Sequence, residues 1–172
     1  AEPAREATLT VLELLQWLAE TGPSIALRES LYAWPFVESA HVLTLALFAG
    51  TAIMLDLRLL GLALRPVPVG VLTSRMLPWT RAGFAAMAVT GMLLFYANPA
   101  HYYQNVFFRI KVVLLAVVAL NIWLFHSRIH RRVAEWGGDP VTPRAARIAA
   151  IVSLASWAGI VVAGRLIAYN WF

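Results

Sequence analysis

Four long apolar runs, separated by polar and basic connectors, organise the chain. The clearest is 39–61, SAHVLTLALFAGTAIMLDLRLLG, which is uncharged between His41 and Asp56 and closes on Arg58 and Gly61. At the rise of an α-helix, such a run with its flanks reaches about 30 Å, the hydrocarbon thickness of a bilayer. The pattern predicts spanning helices over 36–62, 78–96, 106–126 and 145–168. The prolines of 65–70 are expected to stop the first span. Residues 98–101 read as a turn, and 127–143 as a basic connector that carries Gly137, Gly138, Asp139 and Pro140.

Ahead of the spans, 7–20 places Val11, Leu14, Leu15 and Leu18 on one helical face, with Glu13, Gln16 and Glu20 elsewhere. This amphipathic segment is too polar to span and is expected to lie at the interface. Thr21, Gly22 and Pro23 break it, and Ser24 is expected to cap a short helix over 25–31. Tyr32, Trp34 and Phe36 form an aromatic belt before the first span, as Tyr169 and Trp171 do after the last. The fold class is therefore all-α. A four-helix, up-down integral membrane bundle (36–172) follows an N-terminal interfacial segment (1–35).

Composition sharpens this. Of 172 residues, 60% are hydrophobic and 13% charged, against about 25% charged in soluble domains. The absence of cysteine excludes disulfides, thiolate metal sites and covalent haem attachment. The net charge of +5 comes from basic residues that flank apolar spans rather than form a face interleaved with aromatics. Membrane lipid, not nucleic acid, is the partner that this pattern fits. Nine basic residues fall on the side of the 56–81 and 127–147 connections, and five on the other. The positive-inside rule then places both long connections in the cytoplasm and both termini outside.

The polar residues fall into two layers. His41, Lys111 and Arg165 lie at similar depth near the outer ends of the first, third and fourth spans, with Glu38, His101 and Arg109 just beyond. Ionisable groups within a membrane are functional candidates by default. Imidazole has no long stem with which to snorkel, so His41 stands out. The inner layer holds Asp56, Arg58, Arg81, Asn121 and His126, and Asp56 is expected to pair with Arg81 or Arg58. His126 and His130 stand four apart, a spacing that can share a metal, in a basic segment without a nearby carboxylate. His41 and His126 are separated by roughly 25 Å of bundle and cannot ligate one haem. An outer b-type haem would use His41 with His101, or His41 alone, with Arg109, Lys111 and Arg165 toward the propionates. A quinone headgroup bonded to His41 fits the same layer. No nucleophile–base pair or phosphate-binding loop is present, so a self-contained enzyme is not expected.

The series Arg28-Glu29-Ser30, Trp34-Pro35, Glu38-Ser39-Ala40-His41-Val42 and Asp56-Leu57-Arg58-Leu59-Leu60-Gly61 is distinctive. Phe108-Arg109-Ile110-Lys111 and Asn121 through His126 extend it. It resembles a family of small bacterial four-helix membrane proteins known only as a domain of unknown function. More loosely, it is similar to cytochrome b561-like and copper-resistance-D-like membrane proteins. That resemblance implies a redox role, although two histidines at matching depth on facing spans are lacking. The expected function is an accessory or electron-transport subunit of a larger redox or energy-converting complex, with haem b or quinone held by the outer layer. The alternative is a cofactor-free structural subunit. In it, partner transmembrane subunits would pack against the small residues Gly159, Ala163 and Gly164.

Overall fold

The computed structural model describes residues 2–129, 133–136 and 142–169. The described residues form α1 (Glu2–Ala19), α2 (Gly22–Glu29), α3 (Ala33–Leu59), α4 (Val69–Ala97), α5 (Pro99–Gln104), α6 (Val106–Leu124), a π-helical turn (Phe125–Ile129), α7 (Val133–Trp136) and α8 (Arg144–Ile167). Helices α3, α4, α8 and α6 with its π turn are each long and apolar enough to cross a membrane. No strand occurs among the described residues. The chain is an all-α, multi-pass membrane bundle.

Helix ends follow from local chemistry. Gly61 takes a φ of 70° after α3, the left-handed conformation that glycine adopts without strain. There Leu62 N–H reaches Leu57 O at 2.9 Å and Gly61 N–H reaches Arg58 O at 3.1 Å, the paired bonds of a Schellman stop. Helix α6 starts on Asn105, whose side-chain oxygen accepts from the N–H groups of Phe107 (2.9 Å) and Phe108 (3.2 Å).

Two expectations about boundaries change. Helix α4 begins at Val69 and runs through Pro78 rather than starting there. A proline inside a helix removes one bond to the residue four earlier. Here Pro78 and Ser74 are both exposed, so the carbonyl left without a donor is not buried. The 98–101 turn is instead the start of α5, opened by Pro99 in its first turn.

Packing is closest between α3 and α4, α6 and α8, and α3 and α8. A central cluster draws Phe48 and Ala49 of α3, Val118 of α6, and Trp157 and Ile160 of α8 together with Met87 of α4 and Leu114 of α6. Phe48 meets Trp157 edge-on at 5.1 Å. A second cluster, at the opposite end from His41, joins Leu59, Val69, Phe125, Ala146, Ala149 and Ala150. Two glycines permit the close approaches. A Cβ on Gly83 would lie 3.1 Å from the Phe48 backbone nitrogen, and one on Gly159 would lie 2.8 Å from Leu114 Cδ1. The small face of α8 is thus partly used inside the chain, against α6.

The α1–α2 segment packs on α4 and α5. Ser24, expected as a cap for its own helix, lies inside α2 and is fully buried. Its hydroxyl donates toward Tyr96 O (2.9 Å) and Ala97 O (3.2 Å), and Arg28 donates to Ala97 O at 3.1 Å. The hydroxyls of Thr21 and Tyr96 bond at 2.9 Å. Carbonyls at the end of α4 that have no partner within their own helix are satisfied from α2.

Candidate functional site

His41 lies two turns into α3 and is half-buried. Its Nδ1 is 3.0 Å from Thr90 Oγ1 on α4. The Thr90 hydroxyl carries one proton and lies 2.8 Å from Ala86 O, the usual back-bond within a helix. With that proton committed, Thr90 accepts from His41, so the neutral imidazole is assigned the Nδ1–H tautomer. Nε2 then keeps its lone pair. A hydrogen bond at one ring nitrogen that fixes the other is how proteins prepare histidine to accept a proton or to bind a ligand. Gly91 provides the room: a Cβ there would sit 3.1 Å from His41 Cε1.

Lys111, in the second turn of α6, is the other outer-layer residue that belongs to this place. It is half-buried, and its Nζ lies 3.6 Å from where a Cβ on Gly164 of α8 would be. Its ammonium is near enough to act electrostatically on His41. No hydrogen bond or ion pair to Lys111 is present among the described residues. Four helices thus contribute to one locus: His41 from α3, Thr90 and Gly91 from α4, Lys111 from α6 and Gly164 from α8. Sequence spacing pointed to His41 and Lys111 by depth. Thr90 and the two glycines needed helix rotation, which an all-round apolar pattern does not carry.

The other outer-layer candidates are engaged elsewhere. Arg109 is exposed, donates from Nε to Tyr103 O at 2.9 Å and lies over the Tyr103 ring. Arg165 is exposed, donates to the Tyr169 hydroxyl at 2.6 Å and covers that ring at 4.8 Å. His101 is exposed on α5 and packs edge-on against Tyr102. Tyr102 in turn stacks with Phe95 and meets Phe108, bridging the outer ends of α4 and α6. Burial, then the nearby Glu38 carboxylate, pushes the Tyr102 hydroxyl above the ordinary tyrosine range. A shallow groove of about 430 Å³ runs along Glu38, Ser39, Val42 and Leu43, without His41 in its lining.

In the inner layer the expected ion pair does not form. Asp56 and Arg58 are both buried, at 6% and 3% exposure, but residues two apart on a helix do not face each other. Arg58 turns to the following loop and donates from Nε to Val67 O at 2.7 Å. Arg81 is exposed. Ser153 of α8 is the polar side chain beside Asp56, whose Oδ2 has no hydrogen-bond partner. Asn121 ties α6 to α8 by donating to Ala149 O at 2.9 Å. His126, in the π turn, is exposed with Nδ1 3.0 Å from Ile122 O. His130, its proposed metal partner, lies outside the described residues, as do Arg131, Arg132, the Gly137–Pro140 stretch and Trp171. No group of three or more metal-ligating side chains occurs among the described residues.

No curated protein and no solved structure matches the chain. A family model does, over residues 25–170, which takes in α3 to α8 and every residue of the His41 locus. The chain belongs to that family, a family of unknown function (DUF6644).

Proposed function

We propose that the chain is an electron-transport or accessory subunit of a membrane redox complex, and that its His41–Lys111 locus holds a quinone headgroup. One observation carries this reading: a histidine with its tautomer fixed by Thr90 and a cation with no partner among the described residues share one level of the bundle. A quinone carbonyl accepts hydrogen bonds, which a lysine ammonium can donate. A quinol hydroxyl donates, which an unprotonated ring nitrogen of His41 can accept. The bound quinone would supply two-electron, two-proton redox chemistry. The chain's own residues would orient the ring and hold a proton at Nε2.

Haem fits these residues less well. Only His41 offers a ring nitrogen at this level, because His101 is exposed against Tyr102. Arg109 and Arg165 are held by tyrosines rather than free for propionates. The structural-subunit reading also weakens at the residues that suggested it, since Gly159 meets Leu114 and Gly164 meets Lys111 within the chain. Exposed Arg65, Arg75, Arg128, Arg144 and Arg147 at the Asp56 end support a cytoplasmic placement of that end in a bacterial inner membrane.

The test is binding of a short-chain quinone such as decylubiquinone to the purified protein. His41→Ala and Lys111→Met should each weaken binding about tenfold or more, the loss expected for a hydrogen bond that involves a charged or fixed partner. Equal affinity in wild type and both variants would sink the assignment.

A further inference from the structure

Asp56 is the least comfortable group in the bundle. It is 94% buried, from a relative exposure of 6%, and Oδ2 has no hydrogen-bond partner. It also lies in the last turn of α3, whose C-terminus ends at Leu59, where the helix dipole disfavours an anion. The apolar cluster of Leu59, Val69, Phe125, Ala146, Ala149 and Ala150 occupies the same end of the bundle.

Among the described residues, no positive group is paired with the carboxyl. On its own helix, Arg58 is committed to Val67 O. On α8, Ser153 faces it, while Arg144 and Arg147 are exposed. On α4, Arg75 and Arg81 are exposed. Asn121 of α6 is bonded to Ala149 O. Among the described residues, Asp56 makes no ion pair. An uncompensated carboxylate in such a place is strongly disfavoured, and a cation on Oδ2 removes that penalty.

We propose that Asp56 is a proton-binding site of the bundle, with an exchangeable proton on its free carboxyl oxygen and Ser153 as its hydrogen-bond partner. The assignment does not depend on the quinone reading, because His41 stands about four turns away on the same helix. Together the two groups place proton-holding side chains near both ends of α3.

The sequence makes the test specific, because Asp56 and Asp139 are its two aspartates. Infrared spectra of the full chain in lipid, with and without carbon-13 aspartate, isolate those two side chains. At neutral pH the labelled protein should show an isotope-shifted carbonyl band of a protonated carboxyl. The band should persist in Asp139→Asn, move in heavy water, and give way to carboxylate bands at alkaline pH. Carboxylate bands alone at neutral pH would overturn the proposal, as would a protonated band lost in Asp139→Asn. Conversion to carboxylate on adding sodium at constant pH would also overturn it, by identifying an alkali-ion site.

Discussion

Ser24 shows how much a small polar side chain can contribute when it is buried. Its hydroxyl serves carbonyls at the end of α4 from another helix, beside Arg28. Ser24→Ala leaves Tyr96 O without this donor while Ala97 O keeps Arg28. It should therefore destabilise the fold by about 1–3 kcal/mol, the cost of an orphaned buried polar group. Chemical unfolding in detergent micelles would measure it, and an unchanged midpoint would exclude the capping role. This use of Ser24 was not legible in the sequence. A serine after Thr-Gly-Pro reads locally as a cap, and its true partners lie more than seventy residues away. His41 and Lys111 were legible, because ionisable groups in apolar runs announce themselves. The pairing of Asp56 with arginine was misread because depth alone brings groups level without turning them toward one another.

At the scale of elements, the long helices were readable because each apolar run, with its flanks, comes close to the bilayer thickness and ends near charge, glycine or proline. The start of α4 was not, since Pro78 sits where a helix can tolerate it. The contacts between helices depend on rotation, and α6 is apolar almost all round, with Val118 its one buried residue among those described. Gly83 is the clearest contact determinant. A Cβ there would press on the Phe48 backbone, at 3.1 Å from N and 3.3 Å from Cα. Backbone cannot rotate away as a side chain can, so Gly83→Ala should separate α3 from α4 and cost about 1–3 kcal/mol. Gly159→Ala meets only the end of the Leu114 side chain and should cost less. Thermal unfolding of the two variants side by side checks the order, and a reversed order would contradict the packing.

For the whole molecule, the bundle has a polar locus near each end and an apolar middle. At one end His41 of α3 and Lys111 of α6 lie within electrostatic reach of each other, near the aromatic bridge of Phe95, Tyr102 and Phe108. At the other, Asp56 and Ser153 lie beside a rim of exposed arginines. Between them, Phe48, Trp157 and Ile160 fill the centre. This layout suits a subunit that holds a redox headgroup near one membrane surface and exchanges protons near the other. The most direct measurement is made on wild-type protein gently purified from native membranes: organic extraction for quinone, with iron and a reduced-minus-oxidised visible spectrum on the same sample. Quinone near one equivalent, with no haem band, is the expected result. A haem spectrum with stoichiometric iron, or the absence of both cofactors, would contradict a quinone site at His41 and Lys111.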